Sequence, residues 1–407
     1  MKKKLLSVML ASTMTAALLA GCGSVTETDS AEQSDAQTSA ETTAESTTDD
    51  AQAAGETETG INPIKIGIVM YQWTDSQGEN IQNFCSYLSD QMDVTFEYES
   101  TYYDDDAQLS CVENLISKGC DAIISGYDTN IIAALSTCEE AGVYYAVALD
   151  QITEEDLSGM NSEFFVGGTR QFGGDLTALG EEYADAVAES GVTHIGGISF
   201  PAWAFSDAPE IYTGFQNKLT AAGITVDDLT FSSGMTADEV QQNTKDLVNA
   251  TEGMDAIFGM SSGLDYVYPA VQGSGMKLIA MGYDTSVASL MESGDLLACG
   301  NNNHTQAIAS CVARLINAKD GNSYPDSAEG TYNEGSIVNG VAGYPVIKDA
   351  EDLANYQNYI IPADGANGCV TVDELLNCVI SVNPNATLAD LNALTNRSLA
   401  DVVAAHN

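Results

Sequence analysis

The chain has 407 residues and a formal charge of −46, with 59 Asp and Glu against 13 Lys and Arg. A charge of that sign repels nucleic acids and anionic lipid headgroups, so we expect neither as a partner. Only three histidines occur, and no two have the spacing of metal ligands, so we predict no metal centre and no cofactor.

The N-terminus has the features of an export signal. Lys2 to Lys4 precede a mostly apolar stretch, Leu5 to Ala20, which is shorter and more polar than a membrane span of roughly 20 apolar residues. The next residues, Leu18–Cys22, resemble the bacterial lipobox, in which the cysteine is lipidated and becomes the new N-terminus. The resemblance implies a lipoprotein signal peptide over residues 1–21 and a lipid on Cys22. The alternative is an ordinary signal peptide with a cysteine there by chance.

A polar segment separates this signal from the rest of the chain. Gly23 to Gly60 consist almost wholly of Ser, Thr, Ala, Glu, Asp, Gln and Gly, and Val25 is the one large aliphatic residue. Such a segment buries too little apolar surface to offset its ordering entropy, and its carboxylates repel one another. We therefore predict that residues 22–60 are the lipidated cysteine and a disordered acidic linker.

From Ile61 onward, short apolar runs alternate with amphipathic segments. This alternation predicts right-handed βαβ units with parallel sheets, and the length predicts more than one core. We predict an α/β fold of two doubly wound parallel-sheet lobes. The predicted strands are Ile64–Tyr71, Val94–Tyr98, Asp121–Ser125, Val143–Leu149, Phe164–Val166, His194–Ser199, Ala256–Phe258 and Lys277–Met281.

Eight cysteines follow Cys22, and none of them forms a C-x-x-C motif. An exported protein could pair them in disulfides. Five lie in helical patterns beside apolar residues, where a free thiol packs as a small hydrophobic group. We predict thiols that are mostly free and buried.

Four motifs, in their order along the chain, resemble the type I periplasmic binding proteins, the family of ribose- and galactose-binding proteins. They are the opening strand Ile66–Met70, the strand end Val147–Asp150, the crossover Val166–Gly174, and Gly282–Asp284 followed by Ser293–Ala298. The resemblance implies two lobes joined by a three-crossing hinge. It implies an N-terminal lobe of residues 61–163 plus 303–330 and a C-terminal lobe of residues 164–302 plus 331–407.

The same resemblance implies a function. We expect an extracytoplasmic solute-binding protein, not an enzyme, that closes on a small polar ligand, a monosaccharide, for the permease of an ABC importer. We expect a monomer that the lipid on Cys22 anchors to the outer face of the cell membrane. Two alternatives stay open, which are capture of a nucleoside or furanosyl signal molecule, and a sensory role with a kinase or chemoreceptor.

Candidate ligand-binding residues follow from the fold, since ligands of open parallel sheets bind outside the carboxyl ends of the strands. Asp150, Asp284 and Asn302 resemble the family's hydroxyl-binding positions. An aspartate at such a place can also be a helix cap or a turn residue. The remaining candidates are Tyr71, Trp73, Tyr127, Gln151, Arg170, Trp203, Phe205 and Ser261.

Several candidates have a second interpretation. The aromatic rings suit the C–H face of a sugar, and they would also suit packing within a lobe. Arg170 is a candidate ligand contact or an interlobe ion pair. Gln151 stands where sugar binders often have Arg, and Ser261 stands where they have Asn, so the identity of the ligand stays open.

An enzyme interpretation rests on Gly259–Gly263, which fits G-x-S-x-G directly after a strand. Asp284 and His304 follow Ser261 in hydrolase order. Hydrolases of that class place the serine in the middle of a single sheet, whereas this serine falls late in a second lobe. We therefore predict no catalytic residue.

Overall fold

The computed structural model describes residues 59–74, 76–102, 106–127, 130–150, 162–170, 175–327, 340–341, 343–362 and 368–406. The predicted signal peptide, most of the predicted linker and Gln151 lie outside these residues. Within them, no helix combines the length and the apolar character needed to cross a membrane.

The first sheet has six parallel strands in the order β11-β5-β4-β3-β1-β2. The side chains of β1 and β3 are almost all buried, as expected for inner strands covered on both faces. The strands are β1 Ile64–Met70, β2 Val94–Ser100, β3 Ala122–Gly126, β4 Tyr144–Asp150, β5 Phe165–Arg170 and β11 Gly340–Val341.

The second sheet repeats this architecture with the order β12-β10-β9-β8-β6-β7. Its strands are parallel except β12, which runs antiparallel to β10. The predicted α/β fold of two parallel-sheet lobes is thereby confirmed. The strands are β6 His194–Ser199, β7 Thr225–Phe231, β8 Ala256–Gly259, β9 Lys277–Met281, β10 Leu296–Gly300 and β12 Val346–Ile347.

Helices cover the sheets, and capping residues mark where several of them begin and end. Asp175 and Asn303 accept backbone N–H groups at helix N-termini, and Thr236 forms a capping box with Glu239. Gly142 ends α3 with a φ of 70°. In chain order the helices are α1 Ser76–Ser89, α2 Ala107–Ser117, α3 Ile131–Ala141, α4 Leu176–Ala188, α5 Ala208–Ala221, α6 Ala237–Ala250, α7 Tyr268–Val271, α8 Val287–Ser293, α9 His304–Lys319, α10 Ala350–Asn355, α11 Val372–Asn377, α12 Leu388–Thr395 and α13 Leu399–His406. A π-helical turn, Gly263–Val267, precedes α7, and another, Tyr356–Ile360, follows α10.

The chain passes between the two sheets three times, after Arg170, after Gly300 and after Val341. Helix α9 follows the second passage and packs on β4 and β5 of the first sheet. The division differs from our expectation at β5, because Phe165–Arg170 pairs with β4 and belongs to the first lobe instead of opening the second. Helices α11 and α12, which we expected in the second lobe, pack on α9.

All eight described cysteines are free and buried, which confirms the prediction of free thiols. Burial raises the pKa of Cys85 and of Cys311 to about 12. Such thiols stay protonated near neutral pH and behave as small apolar groups.

Helices α4 and α5 cross at two glycines. A Cβ on Gly180 would lie 1.9 Å from the carbonyl oxygen of Ile211, and one on Gly214 would lie 2.0 Å from that of Thr177. We expect Gly180→Ala to lower the free energy of unfolding by about 1–3 kcal/mol through overpacking. At an uncrowded helical site the same change would raise stability.

Urea denaturation of Gly180→Ala measures this, and Glu181→Ala on the exposed face of α4 is the control. Unchanged or increased stability of Gly180→Ala would show that the two helices separate without cost.

Candidate functional site

Backbone strain is concentrated at the carboxyl ends of the strands. Among the described residues, four non-glycine residues have left-handed φ values, Tyr102 (52°), Tyr127 (56°), Leu149 (60°) and Ser262 (47°). Each lies at the end of a strand or just after it, on β2, β3, β4 and β8. Each such residue costs about 1–3 kcal/mol and persists where its surroundings impose it, often at a ligand site.

Two predicted aromatic residues of the first lobe lie together. The ring centroids of Tyr71 and Tyr127 are 5.4 Å apart. The hydroxyl of Tyr71 donates to Oε1 of Gln77 at 2.8 Å, which fixes its ring. Tyr127 follows β3 directly, and its left-handed backbone turns the chain at that point.

Trp73 turns toward the edge strand. Its Nε1 donates to the carbonyl oxygen of Glu99 at 2.9 Å, and its ring meets that of Tyr98 edge-on at 4.7 Å. The lobe-packing interpretation describes these contacts well.

Asn302 connects the second crossing to the first-lobe aromatic residues. Its side chain is 7% exposed, and Nδ2 donates to the hydroxyl of Tyr127 at 3.5 Å. The structure therefore brings Tyr71, Tyr127 and Asn302 together beside the hinge. An amide next to two tyrosine rings offers a donor, an acceptor and apolar faces, which are the groups that bind vicinal hydroxyls.

The second and third crossings are joined by hydrogen bonds. The N–H of Asn301 donates to Pro345 O at 3.3 Å, and that of Asn303 donates to Gly343 O at 3.0 Å. The buried side chain of Gln306 adds a bond, because its Oε1 accepts the N–H of Gly343 at 2.7 Å. Gln306 carries no sequence signal of this role, since a glutamine in the first turn of a helix resembles an ordinary surface residue.

A tyrosine pair supports the hinge from the second lobe. The hydroxyl of Tyr344 donates to Gly300 O at 2.9 Å, and that of Tyr183 donates to Ala280 O at 3.2 Å. Burial raises the pKa of both tyrosines far above the ordinary value. Both side chains are therefore neutral donors, and sequence reasoning also missed them.

In the second lobe, Asp284 is engaged in a turn. Its Oδ1 accepts the N–H of Ser286 at 2.6 Å and the hydroxyl of Ser286 at 2.5 Å, just before α8. The turn interpretation is thus realised, and a ligand role for Asp284 stays a prediction. The preceding Tyr283 packs its ring at 4.8 Å from that of Tyr356.

The other second-lobe candidates divide into exposed and buried groups. Trp203 is 78% exposed in the loop after β6. Phe205 is 6% exposed and packs in the apolar core of the second lobe, and its ligand role stays a prediction. Ser261 is buried, and its Oγ lies 3.3 Å from Oγ of Ser199 and accepts the N–H of Phe200 at 3.0 Å.

Asp150 and Arg170 end neighbouring strands. They are register partners of β4 and β5, so their backbones lie side by side at the carboxyl end of the first sheet. The structure describes the backbone of these two residues and not their side chains. Their ligand roles therefore stay predictions.

The hydrolase interpretation gains no support from His304. This residue is buried at the start of α9, and burial lowers its pKa to about 3. Ser261 pairs with Ser199 and Phe200, which stabilise the loop after β8. Among the described residues, no group of three or more His, Cys, Asp or Glu is placed to hold a metal ion.

The sequence profile of a family described as periplasmic binding protein domain matches residues 67–323. The chain belongs to this family. The resemblance found in the sequence is therefore confirmed. Members of the family bind solutes outside the cytoplasm and are not enzymes, so this periplasmic binding protein is an extracytoplasmic solute-binding protein without catalytic activity.

Solved structures agree on the fold. A sugar ABC transport substrate-binding protein from Bordetella parapertussis 12822 is 15% identical, covers 71% of this chain and 90% of its own, and has a TM-score of 0.56. An ABC transporter periplasmic solute-binding protein from Actinobacillus succinogenes 130z, solved with D-allose, is 15% identical, with coverages of 72% and 100% and a TM-score of 0.57. A carbohydrate transporter from Acidothermus cellulolyticus 11B, in complex with myo-inositol, is 13% identical, with coverages of 75% and 100% and a TM-score of 0.52. The comparison with curated proteins gives no match.

The turn at Asp284 generates a prediction for this periplasmic binding protein. Asp284→Ala removes the acceptor for both Ser286 groups, so we expect a loss of about 1 kcal/mol in the free energy of unfolding. Asp284→Asn keeps an acceptor oxygen and should stay near wild type. Urea denaturation without ligand measures both variants, and equal losses in the two would mean that the charge, not the turn, stabilises this segment.

Proposed function

We propose that this protein captures a small polyhydroxylated ligand, a monosaccharide or an inositol, for the permease of an ABC importer. The observation that carries the proposal is the cluster of Tyr71, Tyr127 and Asn302 at the hinge end of the first lobe. The cluster combines aromatic faces with an amide that can pair with adjacent hydroxyls. Trp203 in the second lobe adds an exposed ring.

The structural neighbours support the same chemical class. D-allose is bound in the protein from Actinobacillus succinogenes and D-fucose in an ABC transporter solute-binding protein from Agrobacterium vitis. Myo-inositol is bound in the carbohydrate transporter from Acidothermus cellulolyticus. All three are small, neutral polyols, and each presents hydroxyls around an apolar ring. A neutral ligand also suits a strongly acidic chain, because anionic solutes would be repelled.

The ligand proposal is tested with Asn302→Ala. Calorimetric titration with D-allose, D-fucose and myo-inositol should find binding to wild type, and Asn302→Ala should weaken the affinity by about 5- to 150-fold. The reason is that a buried ligand hydroxyl loses its partner, a loss of roughly 1–3 kcal/mol. Gln242→Ala, on the exposed face of α6, is the control and should bind normally.

Mass spectrometry of ligand released from freshly purified protein widens this test beyond the three polyols. A retained nucleoside, with no polyol binding, would replace the proposal by the nucleoside alternative. Normal polyol binding by Asn302→Ala would remove the cluster from the site.

We also propose that a lipid on Cys22 anchors the protein, as the sequence Leu18–Cys22 suggests. Cys22→Ala should abolish incorporation of labelled palmitate and release the protein or leave it unprocessed. Polyol binding should stay unchanged, because Cys22 precedes the family match at residues 67–323. Cys85→Ala is the control, since that thiol is buried, and continued labelling of Cys22→Ala would contradict the anchor.

A further inference from the structure

The C-terminal part of the chain lies beyond the family match, which ends at residue 323. Beyond that residue the structure describes 324–327, 340–341, 343–362 and 368–406. The described residues from 343 onward are called the C-terminal extension, and their contacts show what they connect.

The first piece of this extension sits on the second lobe. Helix α10 packs against β12 and α8. Just before it, Nζ of Lys348 lies 3.5 Å from a carboxylate oxygen of Glu182 in α4. Just after it, Nε2 of Gln357 donates to the hydroxyl of Tyr283 at 3.1 Å.

The second piece sits on the first lobe. Helices α11 and α12 pack against α9. The N–H of Val372 donates to the hydroxyl of Tyr87 in α1 at 3.2 Å, and that of Ile380 donates to Oδ1 of Asn317 at 2.8 Å. The chain has thus returned to the first lobe after α10.

The last helix leads back to the second-lobe piece. Helix α13 packs against α10 and the π-helical turn that follows it. The ring of His406 stacks on that of Tyr359, with centroids 4.8 Å apart and planes 19° from parallel. The C-terminal extension therefore contacts the second lobe through α10 and then the first lobe through α11 and α12. Its last helix, α13, finally contacts α10 and the turn after it.

Between these pieces the extension contacts the hinge itself. Nε2 of Gln306 donates to Arg397 O at 3.0 Å, while its Oε1 accepts from Gly343 in the third crossing. Arg397 is held in place by Glu374 at 2.6 Å. The thiol of Cys369 donates to Oδ1 of Asn303 in the second crossing at 3.4 Å.

We propose that residues 349–362 and 368–406 form a strap that restrains the relative motion of the two lobes. A rotation of one lobe against the other bends the second and third crossings. The strap is fixed to both lobes and to both crossings, so the rotation must deform the strap or detach one of its pieces. The strap thereby limits the range of the rotation of one lobe against the other before any ligand binds. This proposal does not depend on the identity of the ligand.

The test removes the contact of α13 with α10 and with the π-helical turn that follows α10. Of its residues only Val402 is buried, so a chain ending at Ser398 keeps the covered surface of α9. His406→Ala is the milder variant, since it removes only the ring stacked on Tyr359. Asp255→Ala is the matched control, because it removes hydrogen bonds to the backbone of Thr193 and His194 in the second lobe and leaves the strap in place.

Interlobe distance is measured on the full chain without ligand. Nitroxide labels on Glu113→Cys in α2 and Lys245→Cys in α6 report it by pulsed electron paramagnetic resonance, since both positions are exposed and the described native cysteines are buried. We expect the chain ending at Ser398 to change the ratio of the distance populations by about fivefold or more, and His406→Ala to shift it in the same direction. Asp255→Ala should match wild type.

Hydrogen exchange at residues 301–303 and 343–345 gives an independent measurement, and it should accelerate in the shortened chain alone. Distance distributions and exchange rates equal to wild type in both α13 variants would overturn the proposal. An equal change in Asp255→Ala would also overturn it, because general loss of stability would then be the cause.

Discussion

The hydrogen bonds that join residues 301–303 to residues 343–345 are the constraint on which the two-lobed structure depends. Each lobe has its own sheet, and these crossings fix how the sheets meet. The amide of Gln306 completes the arrangement by using its oxygen for Gly343 and its nitrogen for Arg397. Because this side chain is fully buried, losing one partner would leave an unsatisfied polar group, which costs more than an average hydrogen bond contributes.

The sheets supply the rigidity that the site requires. Parallel strands buried on both faces fix the positions of their carboxyl ends, and the non-glycine residues with left-handed φ values lie at those ends or after them. Tyr127 shows the consequence, since its left-handed backbone follows β3 and carries its ring toward Tyr71 and Asn302. The strain is tolerable because the paired strands hold the residues before it.

Sequence patterns predicted most inner strands of the two sheets, because a short continuous run of apolar residues is typical of a strand buried on both faces. They missed the inner strand β10, Leu296–Gly300, which follows a glycine and an aspartate. They also missed β7, whose sequence Thr225–Phe231 is half-exposed and carries two aspartates at the edge of its sheet. They placed β5 in the wrong lobe, since chain order does not reveal which sheet a strand joins. Phe205 was assigned by its distance from a strand end, and only packing shows that it points into the core. The roles of Gln306 and Tyr344 depend on contacts with residues far along the chain, which no local pattern contains.

Three consecutive residues of the second crossing make two kinds of contact. Asn301 and Asn303 bond the third crossing through their backbones, while the side chain of Asn302 reaches Tyr127 in the first lobe. A ligand bound at Asn302 would therefore act directly on the segment that bends when the lobes move, and it shifts their equilibrium only by the contacts that differ between the two states. The strap acts on the same segment from the other side, through Cys369 and Asn303. Ligand contacts at Asn302 would thus be coupled to the strap contacts through one short stretch of chain, and a change in either would alter the effect of the other by the same free energy.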